Sequence, residues 1–403
     1  MPRSRVVRTC GINRTARVAQ LEGYFDLPPA RTVTLEWDVN LPIEDRPWSV
    51  GLIVGPSGSG KSSIARDLFG DRVVQGYDWP VNKSVVDGFP KGMSIKQITG
   101  LLSSVGFSAP PSWLRPFAVL STGEQFRVTL ARALAEAGAA IAVVDEFTSV
   151  VDRKVARIGS AAVAKAVRRA EQQFIAVTCH TDVESWLQPD WIYQPHLRRF
   201  RWRELQARPP IALTVRRCAP DEWARFREHH YLNTDLNIGA RCFLACIDDE
   251  PVGFTAVLPL MGYRGRWREH RTVCLPEYQG VGIGMAQSSV VGSIVTAATE
   301  GDYYSTTSHP AFIAARARSP LWRQQRAQAM SGGRQRWGGD TGTRNRPRKL
   351  RSFRMTATFE YVGPRADKDQ ARRMWEESFS EGRKRIGRAN VNTQTMRSSE
   401  VPG

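Results

Sequence analysis

Short uninterrupted apolar runs alternate with helical patterns through the first half of the chain. Ser49-Val50-Gly51-Leu52-Ile53-Val54 is one run, followed by a helical pattern through Phe69; 139–144 and 174–177 are two more. Such runs are what strands covered on both faces require. The basic stretch 198–203, then Arg208-Pro209-Pro210, breaks the pattern. Behind it we read strand 211–217, helix 220–230, paired strands near 241–248 and 251–260, strand 270–275, helix 284–298, strand 302–307 and helix 309–318. The alternating run 355–362 completes that sheet, 365–387 reads as a charged terminal helix, and 388–403 as a disordered end.

The pattern therefore predicts a first domain over 1–205, a second over 206–363 with a basic insert near 323–354, and a terminal segment over 364–403. A length of 403 residues agrees, being more than one core organises. With 41% apolar and 24% charged residues the chain belongs with globular proteins. It lacks the roughly 18 consecutive apolar residues of a membrane helix, and no apolar segment follows its basic start, so neither a membrane span nor secretion is expected. The cysteines Cys10, Cys179, Cys218, Cys242, Cys246 and Cys274 form no CxxC pair, which fits a reducing compartment. Cys242 and Cys246 share a strand face and read as buried small side chains, not metal ligands.

Charge changes the picture. The chain carries +18, of which 211–403 contributes 30 basic against 19 acidic residues. The window 315–354 holds 12 basic residues and one acid, Asp340, and accounts for that half's whole excess. Clustered charge of this kind points to a polyanionic partner.

Chemistry enters at Gly55-Pro56-Ser57-Gly58-Ser59-Gly60-Lys61-Ser62-Ser63, a GxxxxGKS loop between a strand and a helix. The glycines let backbone N–H groups of Gly55, Ser57, Gly58, Gly60 and Ser63 close around phosphates, Lys61 reaches the β/γ-phosphates of ATP, and the Ser62 hydroxyl ligates Mg²⁺. Run 139–144 ends in Asp145-Glu146, a carboxylate for the metal and one for an attacking water. Between them, Leu120-Ser121-Thr122-Gly123-Glu124-Gln125 resembles the signature of the ATP-binding cassette (ABC) family. Ser149-Val150-Val151-Asp152 is similar to its D-loop, and His180 stands where its switch histidine belongs.

The resemblance implies an α/β P-loop NTPase domain that works as a head-to-tail homodimer with two ATP at the interface. Ser121 and Gly123 of one chain would close over the ATP on Lys61 of the other, beside Asp152. Glu146 would be the general base, Asp145 the magnesium carboxylate and His180 the γ-phosphate sensor. Tyr24 or Phe25 are the candidate adenine aromatics. No glutamine fits the family's Q-loop: Gln75 comes too early and Gln97 lies in a helical stretch, so Asp87 is read at that strand end. The interval from Lys61 to Ser121 is shorter than in transporter members, and with a second domain fused behind, a cytosolic switch or clamp fits better than a transporter.

In the second domain, Gln279-Gly280-Val281-Gly282-Ile283-Gly284 follows a strand and opens a helix. It is similar to the pyrophosphate loop of the GNAT acyltransferases, which implies an α+β GNAT-like fold and an acyl-CoA donor, acetyl-CoA being the ordinary one. Gln279, Gly280, Gly282 and Gly284 would bind it. His229-His230-Tyr231, with Asp235 behind, are the candidate acid–base groups, although histidines at a helix end also serve as dipole partners. The tyrosine many such enzymes carry in the last helix is missing; His309, Ser308 or Tyr304 are substitutes.

Arg334, Arg336, Trp337, Arg344, Arg346, Arg348, Lys349 and Arg351 combine guanidinium forks for phosphates with a stacking face, and read as a nucleic-acid contact, the alternative being a solvated loop. The whole resembles phage and prophage proteins that modify nucleobases, and the second half is loosely similar to the Mom-type DNA-adenine modification family. That implies acylation of a base amine of DNA, in preference to RNA, in the cytoplasm of a bacterium or phage-infected host, with no membrane partner. The alternatives are a regulatory nucleic-acid ATPase clamp with an inactive GNAT-like module, and a protein or small-molecule N-acetyltransferase.

Overall fold

The computed structural model describes residues 4–203, 211–230, 234–331, 354–378 and 392–396. Strands β1 (Ser4–Gly11) and β2 (Thr32–Val39) pair antiparallel around helix α1 (Ala16–Phe25). Then come β3 (Val50–Val54), α2 (Lys61–Phe69), β4 (Val73–Val74), α3 (Ile95–Ser104), α4 (Pro110–Trp113), α5 (Thr122–Ala137), β5 (Ile141–Val144), α6 (Arg153–Arg169), β6 (Gln173–Thr178), α7 (Val183–Leu187), β7 (Trp191–Gln194) and β8 (Arg199–Trp202). The remainder runs β9 (Ile211–Cys218), β10 (Arg241–Ile247), β11 (Glu250–Pro259), β12 (Arg266–Cys274), α8 (Ile283–Thr299), β13 (Asp302–Thr307), α9 (Pro310–Arg318), β14 (Trp322–Ser331), β15 (Arg354–Tyr361), α10 (Lys368–Glu376) and β16 (Asn392–Met396).

These elements form two units. Unit 1 comprises Met1–Met93 and Arg115–Ala207; unit 2 comprises Ser94–Leu114 and Arg208–Gly403. The segment holding α3 and α4, read from sequence as part of the first domain, thus belongs to unit 2. Its anchors there are buried ones: Trp113 is nearly inaccessible, and its ring meets that of His309 at 6.0 Å.

Unit 1 is built on a six-stranded sheet, order β4-β5-β6-β3-β7-β8, parallel except for β8 against β7. β3 is buried at every position, as a central parallel strand demands. Its core joins Ile53, Ile64, Val143, Ile175, Val177 and Trp191 with Val6 and Val39 of the small sheet.

Unit 2 carries an eight-stranded sheet, order β14-β15-β13-β12-β11-β10-β9-β16. Every neighbouring pair is antiparallel except β12 and β13. Those two pair over Arg266–Arg268 against Asp302–Tyr304; beyond that, each runs on without bonding the other.

Several expectations change. Residues 220–230 are no α-helix but two 3₁₀ turns, Pro220–Arg225 and Arg227–His229, separated by Phe226 at φ −111°. β12 starts at Arg266, not 270, because its first half buries a charge, Glu269 beside Arg316, where the apolar pattern looks for a hydrophobic residue. Of the terminal helix expected over 365–387, the described part forms α10, capped by Asp367, whose carboxylate accepts from Gln370 N–H at 2.9 Å, and 379–387 lie outside the described residues. Residues 392–396 form β16 against β9 where a disordered end was expected. β14 and β15 pair antiparallel and take up 323–331 and 354, so the basic insert narrows to the hairpin connection 332–353. That connection, with Arg334, Arg336, Trp337, Arg344, Arg346, Arg348, Lys349 and Arg351, lies outside the described residues, as does Tyr231. All six cysteines are free thiols, and Cys218, Cys242 and Cys246 are buried. Among the described residues no helix is long and apolar enough to cross a membrane.

Candidate functional site

Parallel pairing delivers the unit 1 motifs to one place. Val54 aligns with Thr178, Val144 with Ala176, and Val74 with Val144. The residues after these strand ends, the glycine loop, Gln75, Asp145-Glu146 and His180, therefore leave the sheet at its carboxyl edge, where ligands of open α/β sheets bind.

In the loop, Gly58 (φ 77°) and Gly60 (φ 85°) take left-handed backbone that L side chains resist, and α2 starts at Lys61. Lys61 is 8% exposed, and its Nζ donates to Pro56 O at 2.8 Å. Asp145, 3% exposed, gathers three donors. Its Oδ1 accepts from Ser62 Oγ at 3.1 Å and from Glu146 N at 3.0 Å, and its Oδ2 from Gln75 Nε2 at 2.7 Å. Gln75 is the glutamine the sequence reading set aside as too early. Asp87 instead sits in a 3₁₀ turn, accepting from Ser84 Oγ at 2.7 Å, and Gln97 closes the capping box of α3.

Hard oxygen donors from Ser62, Asp145 and Gln75, a glycine cradle, and a buried Ser59 hydroxyl without a hydrogen-bond partner suit a Mg²⁺–nucleotide pair. The aromatic against the loop is Trp37: a Cβ added at Gly60 would stand 2.3 Å from Trp37 Cε2. Tyr24 and Phe25 end α1 with 71% and 69% exposure and contribute nothing to the core. The signal for Trp37 was its i, i+2 spacing to Val39, which turns both inward from an otherwise exposed strand.

Glu146 is exposed, at φ 53°, and accepts from Ser149 Oγ at 2.6 Å. Thr148 is also left-handed (φ 68°), so backbone strain flanks the candidate base. His180 is half-buried, and its backbone N–H donates to Thr178 Oγ1 at 3.2 Å. Ser121 N-caps α5 in a capping box with Glu124 and stays exposed, while Gly123 packs on Val155, 3.3 Å from an added Cβ. Asp152 caps α6 by accepting from Val155 N at 2.9 Å.

Among solved structures, the chain is similar to ATP-binding cassettes. The dimeric MJ0796, a bacterial ABC transporter cassette, matches at 19% identity over 42% of this chain and 90% of its own, TM-score 0.33. Its post-hydrolysis dimer with ADP and Pi matches at 19% identity over 44% and 95%, TM-score 0.35. The ADP conformation of MJ1267, an ATP-binding cassette of an ABC transporter, matches at 17% over 47% and 87%, TM-score 0.30. No family model and no curated protein matches.

In unit 2, Gly280 (φ 91°) and Gly282 (φ 104°) lead into α8, Gly282 being its N-cap. The Gln279 amide is bonded at both ends: Nε2 donates to Cys274 O at 2.9 Å, and Oε1 accepts from Ser108 N at 2.9 Å. Gln279 thus braces the loop. Gly284 faces Phe312, whose Cζ lies 3.0 Å from an added Cβ. His229 is exposed, and His230 meets the Trp223 ring at 5.8 Å. His309 bonds Ser108 O through Nε2 at 2.8 Å, and burial pushes its pKa down. Tyr304 OH donates to Asp302 at 3.3 Å, and burial, then Glu360 and Asp302, push its pKa up.

Beneath β12 lies a charged core. Arg316, fully buried, donates to Glu269, Ser288 Oγ and Ser305 Oγ, with its guanidinium 4.4 Å over Trp322. Burial pushes the Glu269 carboxyl up, but Arg316 and the two serine hydroxyls outweigh it and hold the pKa below its usual value.

Proposed function

We propose that unit 1 is an ABC-type ATPase and unit 2 a GNAT-like acyltransferase acting on a base amine of DNA or RNA. The observation carrying the first half is the meeting of Ser62 and Gln75 on Asp145, with Glu146 adjoining. Ser62 and Asp145 would hold Mg²⁺, which supplies charge neutralisation at the phosphates. Lys61 and the loop N–H groups bind the β- and γ-phosphates. Glu146 takes a proton from water as the water oxygen bonds the γ-phosphorus; the β–γ bridging P–O bond breaks and its electrons leave with ADP. The exposed α5 N-terminus at Ser121 suits the γ-phosphate of a second copy's ATP in a head-to-tail homodimer.

For unit 2, support comes from the glycine-led start of α8 and from the early parting of β12 and β13. The parting frees β12 backbone groups between them for a thioester. Acyl transfer forms an amine N–C bond and breaks the thioester C–S bond, with a histidine such as His230 taking the amine proton and the thiolate leaving to be protonated. One observation favours the second reading, a regulatory clamp with an inactive module: both ends of Gln279 are already bonded within the fold.

Nucleoside mass spectrometry on DNA and RNA from cells expressing wild type or Gly282→Glu tests this. A mass present with wild type alone identifies base modification. Identical spectra, with both proteins folded and hydrolysing ATP, favour the clamp.

A further inference from the structure

Strand β12 carries a β-bulge at His270. Across β11, Leu258 opposes Arg268, Val257 opposes Glu269 and Ala256 opposes Arg271, leaving His270 without an opposite number. A bulge cancels the alternation of faces over the extra residue. Consecutive side chains accordingly meet one segment: Asn237 N–H points to His270 Nε2 at 3.4 Å, and Arg271 donates to Asp235 O at 2.9 Å. Arg268 shares this face, because its partner Leu258 packs with Phe254, Ala256 and Trp223 in the core cluster there. The strand's carboxylate, Glu269, turns to the other face and is held by Arg316.

Basic groups are thus concentrated where no strand carboxylate can offset them. Burial, then Arg271, Arg268 and His230, push His270 down to about 4. Arg271 is lowered by burial and by Arg268, against Asp235. Arg271 is anchored by the carbonyls of His270 and Asp235. Arg268 is partly exposed and has no hydrogen bond, ion pair or ring contact among the described residues. Arg268 and Arg271 meet the single carboxylate of Asp235, which leaves an excess of positive charge that an anion completes.

We propose that Arg268, His270 and Arg271 form a phosphate subsite that seats a backbone phosphate of the nucleic-acid acceptor. The bearer of the phosphate rests on the function proposed above; the subsite itself rests on the bulge and on the free guanidinium of Arg268.

The test uses the full chain with ADP saturating unit 1, and two probes, a single-stranded oligonucleotide and inorganic pyrophosphate. Arg268→Gln removes the charge without breaking an internal contact. Losing one charged contact should weaken both probes about tenfold and lower the oligonucleotide's salt slope by about 0.7, while Arg268→Lys retains most of the binding. Independently, NMR titration of His270 should show its pKa rising in Arg268→Gln and, in wild type, on adding pyrophosphate. A loss confined to pyrophosphate keeps the subsite and removes nucleic acid as its bearer. Unchanged affinity for both probes with an unshifted His270 overturns the proposal.

Discussion

The Gln75 side-chain amide donates to the Asp145 carboxylate at 2.7 Å across 70 positions of sequence. The contact exists because Val74 aligns with Val144 on neighbouring parallel strands, so the next residue of each leaves the sheet beside the other. With Ser62 on the other oxygen, Asp145 is fixed from both sides. Gln75→Ala should therefore lower the ATPase rate by roughly 10- to 100-fold, the scale of one misplaced catalytic group, while ATP affinity changes little. Phosphate-release kinetics beside equilibrium nucleotide binding measure both.

Glu146 is exposed on a left-handed residue and is not among the groups that secure the sheet edge. Glu146→Gln should abolish turnover by roughly 100- to 10,000-fold, the usual worth of a positioned base. It should also trap ATP and drive dimer formation, detectable by light scattering. An ATP-bound variant that stays monomeric would count against the head-to-tail dimer.

Trp37 covers Gly60 so closely that a Cβ there would overlap the indole, and Gly60 also needs positive φ. Gly60→Ala should cost at least about 1–2 kcal/mol from backbone strain alone and weaken nucleotide binding. Trp37→Ala should weaken binding too, whereas Tyr24→Ala and Phe25→Ala should not. Fluorescent-nucleotide titration with thermal melts separates the cases.

Arg316 and Glu269 are a buried pair backed by Ser288 and Ser305. Arg316→Met or Glu269→Gln alone should destabilise unit 2 by about 3–5 kcal/mol, the cost of leaving a buried charge uncompensated. The double variant should recover part of it. Urea unfolding of the four proteins completes the cycle.

His270 and His309 both have pKa values below the ordinary 6.5, about 4 for His270. The unfolded chain therefore takes up these protons first on acidification. Their contribution to stability is complete above about pH 6.5, the histidine pKa of an unfolded chain, and is lost as pH falls from there toward the folded values. Glu269, whose pKa is lowered, adds a separate loss at still lower pH. Melting temperature against pH should be flatter between 6.5 and 4 in His270→Asn.

Much of the glycine-loop geometry was legible in sequence because neighbours along the chain set it. Gly58, Gly60, Gly280 and Gly282 each take positive φ where a phosphate loop was read. Gln75 was not legible, since its role depends on which strand lies next to β4 and on no spacing along the chain. The helix expected over 220–230 gave way to two 3₁₀ turns with Phe226 between them at φ −111°, and Trp223 turns inward, its Nε1 donating to Thr234 O.

By itself the sequence determined where the glycine turns at positive φ form and which runs are buried strands. Both depend on glycine's backbone freedom and on side-chain periodicity, which act over a few residues. Tertiary structure alone decided that residues 94–114 fold into unit 2, that Trp37 covers the loop, that Arg316 neutralises Glu269, and that a bulge turns Arg268, His270 and Arg271 to one face. Each of these depends on strand order and register, which are settled only when distant segments bury one another's surfaces.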